Sequence, residues 1–147
     1  QVPTNRAGRH THGGLAPVEG TPFDLREPRV LGEVSGRRTR SSPLPGLDHT
    51  FVVRGSGLRE HAVLTAARTG LRLAVSSDQP GIQVYTGHHL QPLPVGTSGR
   101  SYLPGAGVAL ETQHFPDSPH RPEFPSTVLR PGETFSSTTI WDITAVG

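Results

Sequence analysis

A carboxylate stands where the pattern of an extended segment gives out. In the run 107–117, Val108 and Leu110 are apolar and two residues apart, which puts them on one face of a strand and turns Glu111 to the other. Beyond it, Pro116, Pro119, Pro122 and Pro125 lack the backbone N–H that a ladder requires, so the predicted strand ends close after Glu111 in a rigid polar loop. A carboxylate held by a scaffold beside an accessible loop is placed to act as a general base. The same residue also fits a strand-end Glu facing water, and this stretch by itself favours that plainer assignment.

Asp48 and Gln83 occupy similar positions. Asp48 opens the predicted strand 48–53, whose Thr50, Phe51, Val52 and Val53 are β-branched or aromatic. Gln83 lies in the predicted strand 82–86, where Ile82, Val84 and Thr86 share one face and Gln83 and Tyr85 the other. Asp and Gln carry planar hydrogen-bonding groups of fixed geometry, suited to gripping sugar hydroxyls. On a sandwich with a wet concave face, Asp48, Gln83 and Glu111 could converge. His10 and His12 are two apart but lack a third ligand at fixed spacing, and read as surface histidines rather than a metal site.

The elements that must position these groups are strands. The 147 residues include 18 Gly and 15 Pro, and the recurring apolar clusters between them fit many short strands with tight turns. Residues 62–66 and then 71–76, where Leu71, Leu73 and Val75 alternate with Arg72, Ala74 and Ser76, predict an antiparallel meander with the strand at 48–53. Pro80-Gly81 suits the centre of a type II turn. A long final strand is expected over 134–146, and a short helical turn over 27–32 packed by Val30 and Leu31. The expected fold is all-β, an antiparallel β-sandwich of stacked sheets.

Composition excludes several functions. There is no Cys, so disulfides and thiolate metal sites are ruled out. All 14 basic residues are Arg, yet the net charge is only +2, and the one tight cluster, Arg37, Arg38 and Arg40, sits in a Gly/Ser-flanked loop without interleaved aromatics. Nucleic acid is therefore not an expected partner. No run is long and apolar enough to span a membrane. Gln1 stands where an initiator Met is expected, which suggests a processed chain or part of a longer one.

The local sequences around the three polar residues add what periodicity cannot. Gly46-Leu47-Asp48-His49-Thr50-Phe51 resembles the Gly-aromatic-Asp-His-Asn-Phe strand of galactose mutarotases (aldose 1-epimerases). Gln79-Pro80-Gly81-Ile82-Gln83-Val84-Tyr85-Thr86-Gly87 resembles that family's Gln-Pro-Gly-Val-Gln-Phe-Tyr-Thr-Gly signature. Leu110-Glu111-Thr112-Gln113-His114-Phe115-Pro116-Asp117, with Leu129-Arg130-Pro131-Gly132-Glu133 after it, is similar to the C-terminal signature, and 13–25 fits the segment that precedes them.

The resemblance implies that residues 1–147 are the C-terminal part of a mutarotase-like supersandwich, its N-terminal part absent. It implies interconversion of the α and β anomers of an aldose such as galactose or glucose, with Glu111 as catalytic base, Asp48 and Gln83 as sugar-binding residues, and neither cofactor nor metal. A small aldose is the expected partner, a cytoplasmic setting goes with such an enzyme, and the oligomeric state is left open. The family's general-acid His belongs to a motif that precedes the segment matched by 13–25, and His10, His12, His49 and His114 stand in other contexts. The piece alone is therefore expected to have little activity. Smaller departures are Leu47 for an aromatic, Thr50 for Asn and His88 for Asn. Two other functions compete. One is a non-catalytic carbohydrate-binding sandwich. The other is a glycosidase using Asp48 and Glu111, which requires carboxyl groups about 5–5.5 Å or 6.5–9.5 Å apart.

Overall fold

The structure, a computed structural model, describes residues 14–35, 46–90 and 95–145. His10, His12 and the Arg37, Arg38, Arg40 cluster lie outside the described residues. Strands dominate: β1 (Asp48–Val52), β2 (Arg59–Ala66), β3 (Leu71–Ser77), β4 (Gly81–Tyr85), β5 (Ala109–Gln113) and β6 (Thr139–Ala145). The helical elements are α1 (Leu31–Ser35) and a 3-10 turn over Ser118–His120. The strands form two three-stranded sheets, in the orders β1-β4-β5 and β2-β3-β6, so the all-β expectation holds, but β1 pairs with β4 and not with β2, and the expected meander is confined to β2 and β3. The chain divides into two compact units, residues 1–51 with 83–111 and residues 52–82 with 112–147.

The first unit holds the parts of β1, β4 and β5 that carry Asp48, Gln83 and Glu111. Its β1 end is pinned by Leu47, which is 1% exposed. The Leu47 amide donates to Thr86 Oγ1 at 2.8 Å, and the Thr86 amide donates to the Leu47 carbonyl at 2.9 Å. This reciprocal pair satisfies buried backbone groups and sets the point at which Asp48 enters the sheet. Two glycines are required here. Gly46 has φ 140, and a Cβ on it would collide with the His88 ring. Gly87, at φ 66, ends the segment after β4, and a Cβ there would approach the Gly107 carbonyl to 2.9 Å.

The short helix lies further along than the expected 27–32. Pro28 disfavours helical backbone at Glu27, and the hydrogen bonds begin with the Val30 carbonyl, which accepts from Glu33 at 3.0 Å and from Val34 at 3.3 Å. Val30 is exposed, and the buried anchor is Val34.

In the second unit β3 is the central strand. It pairs antiparallel with β2, Leu73 opposite Leu64 and Val75 opposite Ala62. It pairs antiparallel with β6, Leu73 opposite Ile143 and Val75 opposite Trp141. That register collects Leu64, Leu73, Val75, Trp141 and Ile143 on one face, and Val75 is fully buried. β2 begins three residues before the predicted 62–66, because Arg59, Glu60 and His61 carry no apolar alternation to mark them. Arg59 fastens that start by donating to the carbonyls of Val53, Arg54, Gly57 and Gln79 at 2.8–3.0 Å. The ladder shifts register between Glu60 and Ala62, and His61 Nε2 meets the Ser77 carbonyl at 3.0 Å.

The final strand is shorter than the predicted 134–146. The Asp78 carboxylate takes the Ser137 hydroxyl at 2.8 Å and the Thr138 amide at 3.0 Å, so the Thr138 amide bonds to a side chain, while the Thr138 carbonyl accepts from the Asp78 amide at 3.2 Å. The Pro-Gly turn is also revised. Gly81 is the first residue of β4 rather than the third of a type II turn, and the Pro80 carbonyl accepts from Val53 at 3.0 Å.

Candidate active site

The strand order β1-β4-β5 sets the three sequence-predicted residues on adjacent strands. Asp48 begins β1, Gln83 is the middle residue of β4, and Glu111 is the middle residue of β5 rather than its end. Two of the three touch. Gln83 Nε2 donates to Asp48 Oδ1 at 2.8 Å. Asp48 is half-buried and Gln83 is 8% exposed, so neither is a freely solvated side chain. Glu111 is exposed, on the strand flanking β4 on the side away from β1.

A fourth residue completes the arrangement. Thr50 shares the strand parity of Asp48, is fully buried, and donates its hydroxyl to Gln83 Oε1. The amide orientation follows from chemistry. An ionised carboxylate only accepts, so the NH2 end must face Asp48 and the oxygen must face the hydroxyl. One Nε2–H is thereby used, and the second is a donor with a defined direction. In the sequence Thr50 stands out as a β-branched strand residue and as a departure from the family's Asn, with nothing to mark it as part of a site. The available signal was its position two residues from Asp48 on the same strand.

His49, His88 and His89 belong to the same unit as this group. His49, on the other parity of β1, is 3% exposed; its Nδ1 accepts the Asp48 amide at 3.1 Å, and its ring tilts against Phe23 at 4.4 Å. Burial pushes its pKa below the usual histidine value; Asp48 opposes that shift and His88 adds to it. A neutral ring accepting at Nδ1 carries its proton on Nε2. His88 and His89 meet edge to face at 3.8 Å, and the His89 amide donates to the Tyr85 hydroxyl at 3.1 Å. In the second unit, Gln79 Nε2 donates to Ser137 Oγ at 2.8 Å, which leaves Gln79 Oε1 to accept from His114 Nδ1 at 2.8 Å. No group of three or more His, Asp or Glu among the described residues is arranged to hold a metal ion.

Chemically, the β1–β4 pair offers one oriented amide donor and a carboxylate acceptor beside a strand that presents an exposed carboxylate. That set suits a polyhydroxylated ligand, whose hydroxyls both donate and accept.

The sequence profile described as aldose 1-epimerase matches residues 1–141. Galactose mutarotase from Rattus norvegicus is 42% identical over 128 residues, covering 86% of this chain and 36% of that protein. Aldose 1-epimerase from Escherichia coli is 36% identical over 141 residues, covering 91% of this chain and 40% of that protein. The chain thus spans well under half the length of the curated relatives it matches. A solved aldose epimerase homologue from C. elegans shares the fold, with a TM-score of 0.80 at 24% identity over 94% of this chain and 41% of that one.

Proposed function

The chain belongs to the aldose 1-epimerase family, and from that premise we propose that it supplies the base and the sugar-gripping side of an aldose 1-epimerase. The observation that carries this is the hydrogen-bonded Asp48–Gln83 pair on β1 and β4, with Glu111 on the next strand of the same sheet.

Glu111 takes the proton from the anomeric hydroxyl. An acid from outside these 147 residues protonates the ring oxygen as the bond from that oxygen to C1 breaks. The open aldehyde turns about its C1–C2 bond, and the ring closes on the opposite face of the carbonyl as the ring hydroxyl returns its proton to the acid's conjugate base and Glu111 returns its proton to the new anomeric oxygen. Each proton transfer of this kind contributes roughly 10²–10⁴-fold. Asp48 accepts from sugar hydroxyls, and the second Nε2–H of Gln83 donates to a sugar oxygen. These contacts hold one end of the sugar while the other end opens and rotates. A galactose- or glucose-like aldose fits the donor and acceptor set, and the cytoplasm is the setting we assign. No helix among the described residues is long and apolar enough to cross a membrane.

A second reading is a sugar-binding sandwich without turnover. It draws on the contrast between the bonded, buried gripping residue Gln83 and the exposed Glu111. The deciding experiment gives the whole protein freshly dissolved α-galactose and α-glucose and follows anomer exchange by NMR, with aryl glycosides offered in parallel. Accelerated exchange without hydrolysis supports the epimerase. Sugar binding without faster exchange supports the second reading, and glycoside cleavage would show that Asp48 and Glu111 act as a hydrolytic pair.

A further inference from the structure

We propose that Thr50 is a positioning residue for the sugar site: its hydroxyl sets which end of the Gln83 amide faces the sugar. The proposal rests on the reading of Gln83 as a sugar-gripping residue.

The geometry carries the argument. A glutamine carboxamide has two orientations of nearly equal shape, one presenting NH2 and the other presenting oxygen at a given point. Asp48 favours the orientation with NH2 toward it, through the 2.8 Å bond to Oδ1. When a sugar hydroxyl also donates to Asp48, that carboxylate is shared, and its hold on the amide weakens. Thr50 supplies a second restraint from the opposite end, because its hydroxyl occupies Oε1. Thr50 is wholly buried at 0% exposure, so no water stands ready to replace that donor if it is removed. With both ends held, Gln83 meets the sugar as a donor only. A sugar oxygen that accepts is selected, and a free search between two amide orientations is avoided on binding. Thr50 does not touch the sugar in this account; it acts through Gln83.

The test uses Thr50→Val, which keeps the shape and removes the hydroxyl, and Thr50→Ser, which keeps the hydroxyl. In the whole protein, Thr50→Val is expected to raise KM for anomer exchange roughly three- to tenfold with kcat little changed, the pattern of a lost binding contact. Thr50→Ser is expected to stay near wild type. In a Gln83→Leu background, Thr50→Val is expected to add nothing further. An unchanged KM in Thr50→Val, a Ser variant as impaired as Val, or effects of Thr50→Val and Gln83→Leu that multiply would each overturn the proposal. Should the Val variant fail to fold, Thr50→Ala takes its place against the same Ser control.

A second readout does not depend on turnover. Hydrogen exchange of the Gln83 side-chain NH2, followed by 15N NMR in the whole protein, is expected to be slow in wild type and Thr50→Ser and faster in Thr50→Val. If the wild-type protein shows no anomer exchange, the epimerase reading fails, and the amide measurement alone decides the Thr50 claim. Lost protection in Thr50→Val upholds it, and unchanged protection overturns it.

Discussion

Replacing Thr86 by Val would test how β1 is held in place. Thr86 is 6% exposed and Leu47 1%, so water has little access to either. The substitution preserves shape and leaves the 2.9 Å bond from the Thr86 amide to the Leu47 carbonyl. It removes the Oγ1 that accepts the Leu47 amide at 2.8 Å. A buried N–H without an acceptor costs about 1–3 kcal/mol. For a chain of this size, each kcal/mol lowers Tm by roughly 2–4 °C, so a fall of about 2–12 °C is expected. Differential scanning calorimetry, with urea denaturation alongside, gives both quantities, and Thr86→Ser serves as the control that keeps the acceptor. A Val variant within about 0.5 kcal/mol of wild type, the range of an ordinary surface change, would refute the reasoning. So would a Ser variant as unstable as Val, since the loss would then come from packing.

Other predictions concern charge and completeness. Burial lowers the His49 pKa, so the unfolded chain binds a proton there more readily than the folded one. Its contribution to stability is whole above the unfolded value of about 6.5 and is lost as pH falls from there toward the lower folded value. His49→Gln should make urea-derived stability less steep over that window, with His61, also lowered by burial, keeping part of the slope; an unchanged slope would contradict this. The 147-residue chain alone should show little anomer exchange, because ring opening needs an acid at the ring oxygen and the proposed site supplies only the base; brisk turnover by the isolated chain would contradict this.

What the sequence shows of this fold depends on where apolar alternation marks a strand. β3 is legible because Leu71, Leu73 and Val75 repeat at period two, and β5 because Leu110 is followed so soon by prolines. The start of β2 is not legible, since Arg59 is held by four backbone carbonyls and carries no periodic signal. The start of β6 is hidden for a related reason: Thr138 looks like strand, but its amide goes to the Asp78 side chain. Gly81 follows a proline and reads as a turn, yet it enters the ladder.

The site divides in the same manner. Asp48, Gln83 and Glu111 stand out through the family likeness of their local sequences. That Asp48 and Gln83 are hydrogen-bonded depends on β4 lying beside β1, a pairing between residues 35 apart that no local pattern encodes. Thr50 is not legible as a site residue, because a hydroxyl in a β-branched strand residue carries no sign of what it bonds to.

The most direct test of the central claim compares wild type with Glu111→Gln in the whole protein, measuring anomer exchange by NMR and sugar affinity by calorimetry on the same samples. Glutamine keeps the shape of the side chain and removes its ability to take a proton. With Glu111 as the base, exchange should fall by about 10²–10⁴-fold, with sugar affinity close to wild type because Asp48 and Gln83 are untouched. Exchange that persists at the wild-type rate would remove Glu111 as the base.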